Sequence, residues 1–354
     1  MKPIKIIYLI FSLLLFVIDC FGQENLDVKV DPTPYRVSGY MGKQDNKSVK
    51  RRIYIIDYNI KENNSRDTMT IQDYDIIGNE IKHHAFSHGK KEYEITYEYY
   101  PKQKLRIWRR PEYNHEAGTV DRTWYYSNDK IKRFENANFR KADTIDRGVV
   151  NFTYNKDSLL VLREDIAYGK IYLTKIYNYN GKDMVDAETK MGGNPNYNGV
   201  LYKYNADHLP VSQTKYYMRP NGRDTLLSHL YFYEDKKLIS EQYKDGLDPK
   251  KDISVSYTYD KNNRILAAMS KEDTLYRQTS FEYAGPYLSK VTVTANNWSK
   301  LSREWFIFGP TPLTKMPMTY ETTYYYDDKG YLIKTEDTLN GVLQMRKLYV
   351  IEYY

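Results

Sequence analysis

A single cysteine, Cys20, stands in the 354 residues, and it lies near the N-terminus. With so little thiol, an intramolecular disulfide framework, a cysteine metal site and thiol catalysis are excluded. Long apolar runs are also scarce. The one uncharged stretch, Ile6 to Ile18, is 13 residues long, against the roughly 20 that a membrane-spanning helix needs. No segment carries a sustained 3.6-residue apolar period, and Lys, Arg, Asp and Glu alternate without a long block of one sign. The chain contains no G-x-S-x-G elbow, no P-loop and no H-E-x-x-H, which disfavours the common hydrolase, nucleotide-binding and zinc-protease classes. Phenylalanine (11) and tryptophan (4) are few beside 39 tyrosines. Tyrosine suits strands, packing its ring across neighbours and keeping its hydroxyl for water or a partner.

The N-terminus has the three regions of an export signal: Lys2 and Lys5, the apolar run, then Asp19-Cys20-Phe21-Gly22-Gln23. Small Cys20 and Gly22 fit the −3 and −1 positions of a cleavage site, so residues 1–22 read as a signal peptide and the mature chain starts at Gln23. A competing reading makes Cys20 a lipidated terminus, but Val17-Ile18-Asp19 lacks the small neutral residue expected just before it. Residues 23–50, with Pro32, Pro34, Gly39 and Gly42, read as an extended leader or linker. The net charge of +7 falls to +6 once Lys2, Lys5 and Asp19 leave with the signal. That mild, mixed charge predicts a solvated surface, with no nucleic-acid partner and no membrane span after cleavage. The expected location is outside the cytoplasm: periplasm, cell surface or medium.

Residues 51–354 read as one array of imperfect repeats. Ile253, Val255, Tyr257 and Tyr259 alternate with Ser254, Ser256 and Thr258. Asp260 to Arg264 supplies a polar turn, and Ile265, Ala267 and Met269 resume the alternation up to Asp273. This is a β-hairpin with one oily face. An aromatic-x-aromatic pair recurs ten times, at Tyr97/Tyr99, Trp124/Tyr126, Phe152/Tyr154, Tyr177/Tyr179, Tyr202/Tyr204, Tyr231/Tyr233, Tyr257/Tyr259, Phe281/Tyr283, Phe306/Phe308 and Tyr324/Tyr326, each followed five or six residues later by a large aliphatic. The repeat of about 26 residues holds two strands and two turns. Tyr74 with Asp75 and Gly78 is a degenerate earlier copy. Met191 to Gly199 widens one turn, and Pro310, Pro312 and Pro317 compress another unit.

A second mark, Asp-Thr-aliphatic, recurs at Asp67-Thr68-Met69, Asp143-Thr144-Ile145, Asp224-Thr225-Leu226, Asp273-Thr274-Leu275 and Asp337-Thr338-Leu339, with Asp157-Ser158-Leu159 as a sixth match. Its plain reading is a tight turn in which Asp and Thr bond backbone N–H groups. It also resembles the O-glycosylation acceptor of exported Bacteroidetes proteins. That resemblance makes Thr68, Thr144, Ser158, Thr225, Thr274 and Thr338 candidate sugar-bearing positions.

The segments Tyr257-Thr258-Tyr259-Asp260 … Arg264-Ile265 and Tyr324-Tyr325-Tyr326-Asp327-Asp328-Lys329-Gly330-Tyr331-Leu332 resemble the YD repeats of the Rhs family, whose units read roughly Y-x-Y-D-x-x-G-R-L. The resemblance runs from about residue 70 to the end. Asn155, Asn180, Asn205 or Glu234 stands where the family has Asp, and the turn Gly is mostly replaced. It implies hairpins joined into a long sheet that spirals into a partial shell. The family's self-cleavage motif and toxin do not carry over, since Asp248-Pro249 is followed by Lys250-Lys251. The expected fold is therefore all-β: tandem hairpins forming one elongated, spiralling antiparallel sheet.

Candidate chemistry is thin. His83, His84 and His88 form the one histidine cluster. On a strand, His84 and His88 stand about 13 Å apart, too far to share a metal ion directly, so a polar hairpin tip is expected, with no metal and no cofactor. Asp260, Asp327 and their counterparts recur periodically, as structural residues do, whereas a catalytic carboxylate pair would be singular. The tyrosine stripe reads as the packed inner face of the sheet, with sugar stacking as the alternative. A lipid-facing barrel wall would be apolar, and the mean hydropathy of −0.74 with charges on most strands reads against one. These features predict an exported, non-enzymatic scaffold or binding protein of the cell envelope, whose partner would be a glycan or an envelope protein. An Rhs-like shell component serving a toxin or secretion system and a glycan-directed enzyme are the alternatives.

Overall fold

The computed structural model describes residues 46–58, 65–109, 117–125, 128–140, 143–245, 252–272, 275–296 and 318–354. The segment read as a signal peptide, most of the segment read as a leader, Tyr126, Phe306/Phe308, Asp248-Pro249, Thr274 and the three prolines at 310, 312 and 317 lie outside them. The described strands belong to one compact unit, Thr33–Tyr354.

Twenty-two strands follow in chain order: β1 (Val49–Tyr58), β2 (Ser65–Tyr74), β3 (Glu80–Ser87), β4 (Lys90–Tyr100), β5 (Gln103–Arg109), β6 (Ala117–Tyr125), β7 (Ile131–Arg140), β8 (Asp143–Tyr154), β9 (Leu160–Ala167), β10 (Lys170–Asn180) and β11 (Asp183–Met191). The second half holds β12 (Tyr197–Tyr204), β13 (Pro210–Arg219), β14 (Gly222–Glu234), β15 (Lys237–Asp245), β16 (Ile253–Tyr259), β17 (Ile265–Glu272), β18 (Leu275–Ala284), β19 (Tyr287–Ala295), β20 (Met318–Tyr326), β21 (Leu332–Leu339) and β22 (Val342–Tyr353). Each pairs antiparallel with its sequence neighbours, so the all-β hairpin array is as expected.

The open spiral is not. β1 pairs with β22 along nearly its whole length, with Ile53 opposite Val350 and Tyr54 opposite Tyr349, and the sheet closes into a 22-stranded barrel. An even number of up-and-down strands leaves the first and last running in opposite directions, so they can pair and remove both free edges. The tyrosines reinforce this seam. Tyr54 stacks on Tyr349 at 5.2 Å, and the Arg52 guanidinium lies between the rings of Tyr74 and Tyr331, 5.9 and 5.7 Å away. The Tyr331 hydroxyl meets Ser48 at 3.1 Å.

At one end of the barrel the hairpin turns are built on a repeated Asp or Asn. The side-chain oxygen of Asp75, Asn155, Asn205, Asp260 or Asp327 accepts the backbone N–H groups two and four residues on, at 2.8–3.0 Å. An amide oxygen accepts as a carboxylate does, which explains how Asn replaces Asp without losing the turn. The third residue after the Asx has positive φ: Gly78 and Gly330 in two copies, Ser158, His208 and Asn263 in others. The missing glycines are thus replaced at some conformational cost.

Beside these turns the ladder slips by one residue. Val185, Val211, Ile239, Leu266 and Ile333 are each the extra residue of a β-bulge. Because side chains alternate, the slip keeps Met184, Leu238 and Ile265 buried and throws the next residue to the other face. Three copies of the Asp-Thr-aliphatic motif are likewise bulges near the opposite end, whereas Asp337-Thr338-Leu339 ends β21 and Asp157-Ser158 stands in a turn. Thr68, Thr144 and Thr225 pair with Ile55, Phe139 and Tyr216, and Met69, Ile145 and Leu226 are the extra residues. Asp67 explains the demand for that Asp in one copy: its carboxylate accepts the His88 and Gly89 N–H groups, at 2.6 and 3.1 Å, and so caps the neighbouring hairpin tip.

A closed sheet crowds side chains on its concave face and spreads those on its convex face, so the mainly buried face is the inward one. Its densest part runs from β14 to β20 and includes Tyr231, Leu238, Val255, Tyr257, Leu288, Val293 and Tyr324. The opposite face carries Ser254, Ser256 and Thr258, all exposed, and ion pairs such as Lys290 to Glu321 at 2.5 Å and Arg346 to Glu336 at 2.9 Å. Two outward groups are buried too. Glu135 sits under Arg122, Arg133 and Arg147, and Tyr216 lies flat over Gly199, where a Cβ would stand 2.1 Å from its ring.

Candidate functional site

The inward wall is organised by the aromatic pairs, whose two members have different tasks. The first ring, Phe152, Tyr177, Tyr202, Tyr231, Tyr257, Phe281 or Tyr324, is buried, at 2–8 % exposure. The second donates its hydroxyl to a backbone carbonyl of the preceding hairpin: Tyr179 to Leu160, Tyr204 to Met184, Tyr233 to Pro210, Tyr259 to Leu238, Tyr283 to Ile265 and Tyr326 to Leu288, at 2.6–2.9 Å. Tyr99 makes the same bond to Glu80, at 2.9 Å. The acceptor lies where the bulge disturbs the ladder, so each hydroxyl secures a carbonyl beside that slip. Phenylalanine therefore serves at the first position (Phe152, Phe281), while these seven second positions are all tyrosine. Replacing Tyr259 or Tyr283 by Phe is expected to cost about 1 kcal/mol each, against less than about 0.5 for exposed Tyr168→Phe. Urea titration of the single variants checks this.

Burial pushes the phenols of Tyr74, Tyr204 and Tyr259 up to about 12. The unfolded value is about 10, so the folded state holds these protons more tightly. The resulting stability is intact below pH 10 and is lost as pH rises towards 12. Alkaline unfolding followed by circular dichroism should coincide with a late step in tyrosinate absorbance. Ionisation of every phenol near pH 10 with the sheet intact would contradict these environments.

One cluster departs from the repeat. On the inward face of β13–β16, His229 Nε2 faces Glu241 Oε2 at 2.7 Å, and the His229 Nδ1 faces the Tyr231 hydroxyl at 2.9 Å. Tyr257 donates to the other Glu241 oxygen, and the Tyr231 hydroxyl also reaches Gln213 Oε1 at 3.2 Å. The His229 ring stacks on Tyr243 at 3.7 Å. Glu241 is fully buried, and both of its oxygens face polar partners, as a buried carboxyl group requires. Cross-strand register brings the group together: His229 opposes Tyr243, Tyr231 opposes Glu241, and Glu241 opposes Val255. Sequence reading missed it, although a signal exists. At the position of Glu241, three residues after the buried aliphatic, other units carry Ala187, Ala268 or Val291, and Arg163 is a second charged exception.

The sequence-based candidates scatter. His83 faces inward with Nδ1 3.0 Å from Glu80, His84 faces outward 3.4 Å from Glu94, and His88 lies exposed in a turn. Among the glycosylation candidates, Thr144 and Thr225 are exposed, and Thr68 and Thr338 are half-buried in strands. The Thr338 hydroxyl reaches Glu321 at 3.5 Å, and Ser158 occupies a positive-φ turn position.

No described protein family matches the sequence, and no curated relative does. Among solved structures the chain is similar to a porin-like protein from Bacteroides uniformis, at 8% identity over 86% of this chain and 98% of that one, with a TM-score of 0.31. A porin-like protein from Bacteroides vulgatus gives 12% identity, the same coverage and a TM-score of 0.23. Likenesses this distant carry no conclusion about function.

Proposed function

We propose that this chain is an exported, non-enzymatic binding scaffold of the cell envelope, a barrel that holds its ligand against the enclosed tyrosine wall. The observation that carries this reading is the division between the two faces. The outward face is laced with Ser, Thr and ion pairs, which suits water, whereas charged groups near the middle of a lipid-facing strand cost about 2–4 kcal/mol each. The inward face concentrates rings and hydroxyls, and the charges it buries are paired, as Arg163 is with Asp165 and Lys347 with Asp337. Among its buried carboxylates, Asp121, Asp165, Asp337 and Glu241, Glu241 has both oxygens committed to Tyr257 and His229, which suits a structural strut better than an acid or base waiting for substrate.

The test is to purify the chain without detergent and pass it over immobilised acidic and neutral polysaccharides. Retention without release of reducing ends supports the reading. Reducing-end release that disappears in Glu241→Gln would replace it with the glycan-directed enzyme. A second reading, enclosure of a polypeptide as the Rhs resemblance implies, is favoured by the closed sheet and the Asp-x-x-Gly turns at Asp75 and Asp327. It would show as a co-eluting polypeptide protected from protease until the barrel unfolds.

A further inference from the structure

The cluster around Glu241 is satisfied, but the wall diametrically earlier in the chain, on β1–β5, is not. Arg52 faces inward between the rings of Tyr74 and Tyr331, and its Nε and Nη2 are buried without a hydrogen-bond partner among the described residues. In the same cross-strand row, Arg52 opposes Gln72 and Gln72 opposes His83, and the Nε2 of His83 is again buried without a hydrogen-bond partner among the described residues. On β5, Arg106 gives one nitrogen to Asp121 at 2.6 Å, while its Nε has no hydrogen-bond partner among the described residues. Stranded guanidinium N–H groups are costly in a folded protein. A guanidinium stacked between rings can hydrogen-bond only in its own plane, in the fork that matches a carboxylate.

The aromatic groups beside these nitrogens differ from those on β14–β20. Tyr93 and Trp108 meet edge-on at 5.6 Å and, with Tyr97, remain only half-buried, while Tyr99 is exposed. Lys104 lies over Tyr97 and Tyr99 at 5.0 and 5.5 Å. Partly open rings next to unsatisfied cationic donors combine the two contacts that an acidic sugar offers, an apolar pyranose face and a carboxylate.

We infer that the inward wall of β1–β5 is a subsite for a carboxylate-bearing oligosaccharide, with Arg52 and Arg106 taking carboxylates and the Tyr93, Tyr97 and Trp108 rings taking sugar faces. The inference rests on the binding-scaffold reading and names the ligand class for it. Seating the ligand requires the Tyr74 and Tyr331 rings to shift, because the Arg52 nitrogens are covered in the free protein.

The test is calorimetry of the full chain with hexagalacturonate and, in parallel, with maltohexaose. The expected result is saturable binding of the acidic sugar, weakened at least tenfold by Arg106→Gln and by Arg52→Gln and falling with added salt, with the neutral sugar bound far more weakly. Arg52→Lys keeps the cation between the rings but loses the fork, so it should fold as the parent does, by circular dichroism, and still bind several-fold more weakly. Equal affinity for maltohexaose, or unchanged affinity in folded Arg52→Lys and Arg106→Gln, would overturn the subsite while leaving the scaffold reading in place. Absence of hexagalacturonate binding would also overturn it, and retention of another polysaccharide would then show whether the scaffold reading survives.

Discussion

Glu241→Ala is expected to destabilise the protein by about 3–5 kcal/mol, the cost of breaking a buried, hydrogen-bonded pair by removing one partner. The size follows from what remains. His229 and Tyr257 keep their polar groups inside a wall of Val255, Tyr231 and Tyr243, and each loses its acceptor. Glu241→Gln retains an oxygen for one of the two donors, and about 1–3 kcal/mol is expected. His229→Ala should be strongly non-additive with Glu241→Ala, because the two changes remove the same contact. Chemical denaturation of the four proteins tests this. Additive costs would mean that the two side chains do not meet.

Tyr331→Ala is the second large effect, about 3–5 kcal/mol, as for other buried aromatic truncations. Tyr331 packs with Val49 and Tyr74, lies 5.7 Å from the Tyr353 ring and flanks Arg52, so its ring touches both sides of the β1/β22 seam. The loss should be local as well as global. Amide exchange in β1 and β22 should accelerate more than in β14–β17, where the core is untouched. Tyr331→Phe keeps the ring and removes the bond to Ser48, and about 1 kcal/mol is expected. Uniform acceleration around the barrel would show that the seam is no weaker than any other strand pair.

The alternating pattern of Ile253 to Tyr259 and its relatives made the hairpins legible in the sequence, because burial of one face of a strand leaves a period of two. The turn was legible for the same reason, since Asp260 and Asp327 recur at a fixed offset from the tyrosines. What the sequence hid is non-local. Closure depends on how bulges at Val185, Leu266 and their counterparts accumulate in register until Ile53 meets Val350, and no local stretch encodes that sum. At Thr68, Thr144 and Thr225 the Asp-Thr-aliphatic motif forms a bulge where a turn is expected, because the same residues that bond turn N–H groups also tolerate a bulge. Asp67 does cap a turn, but one in the neighbouring hairpin, 21 residues along the chain at His88. The different tasks of the two rings were partly within reach, since phenylalanine occurs at the first position in Phe152 and Phe281, although Phe308 at a second position blurs the rule. The Glu241 cluster needed the cross-strand register first.

Closure is the central claim, and a disulfide across the seam tests it most directly. Ile53 and Val350 are directly opposed, and opposed residues of an antiparallel pair lie at about 4.5–5.5 Å between Cα atoms, within the range a disulfide spans. In a Cys20→Ser background, Ile53→Cys with Val350→Cys should oxidise within one chain, giving a reducible band of faster mobility, and the product should unfold at higher denaturant than its reduced form. Free thiols after oxidation, or crosslinks only between chains, would contradict the closed barrel and restore the open sheet.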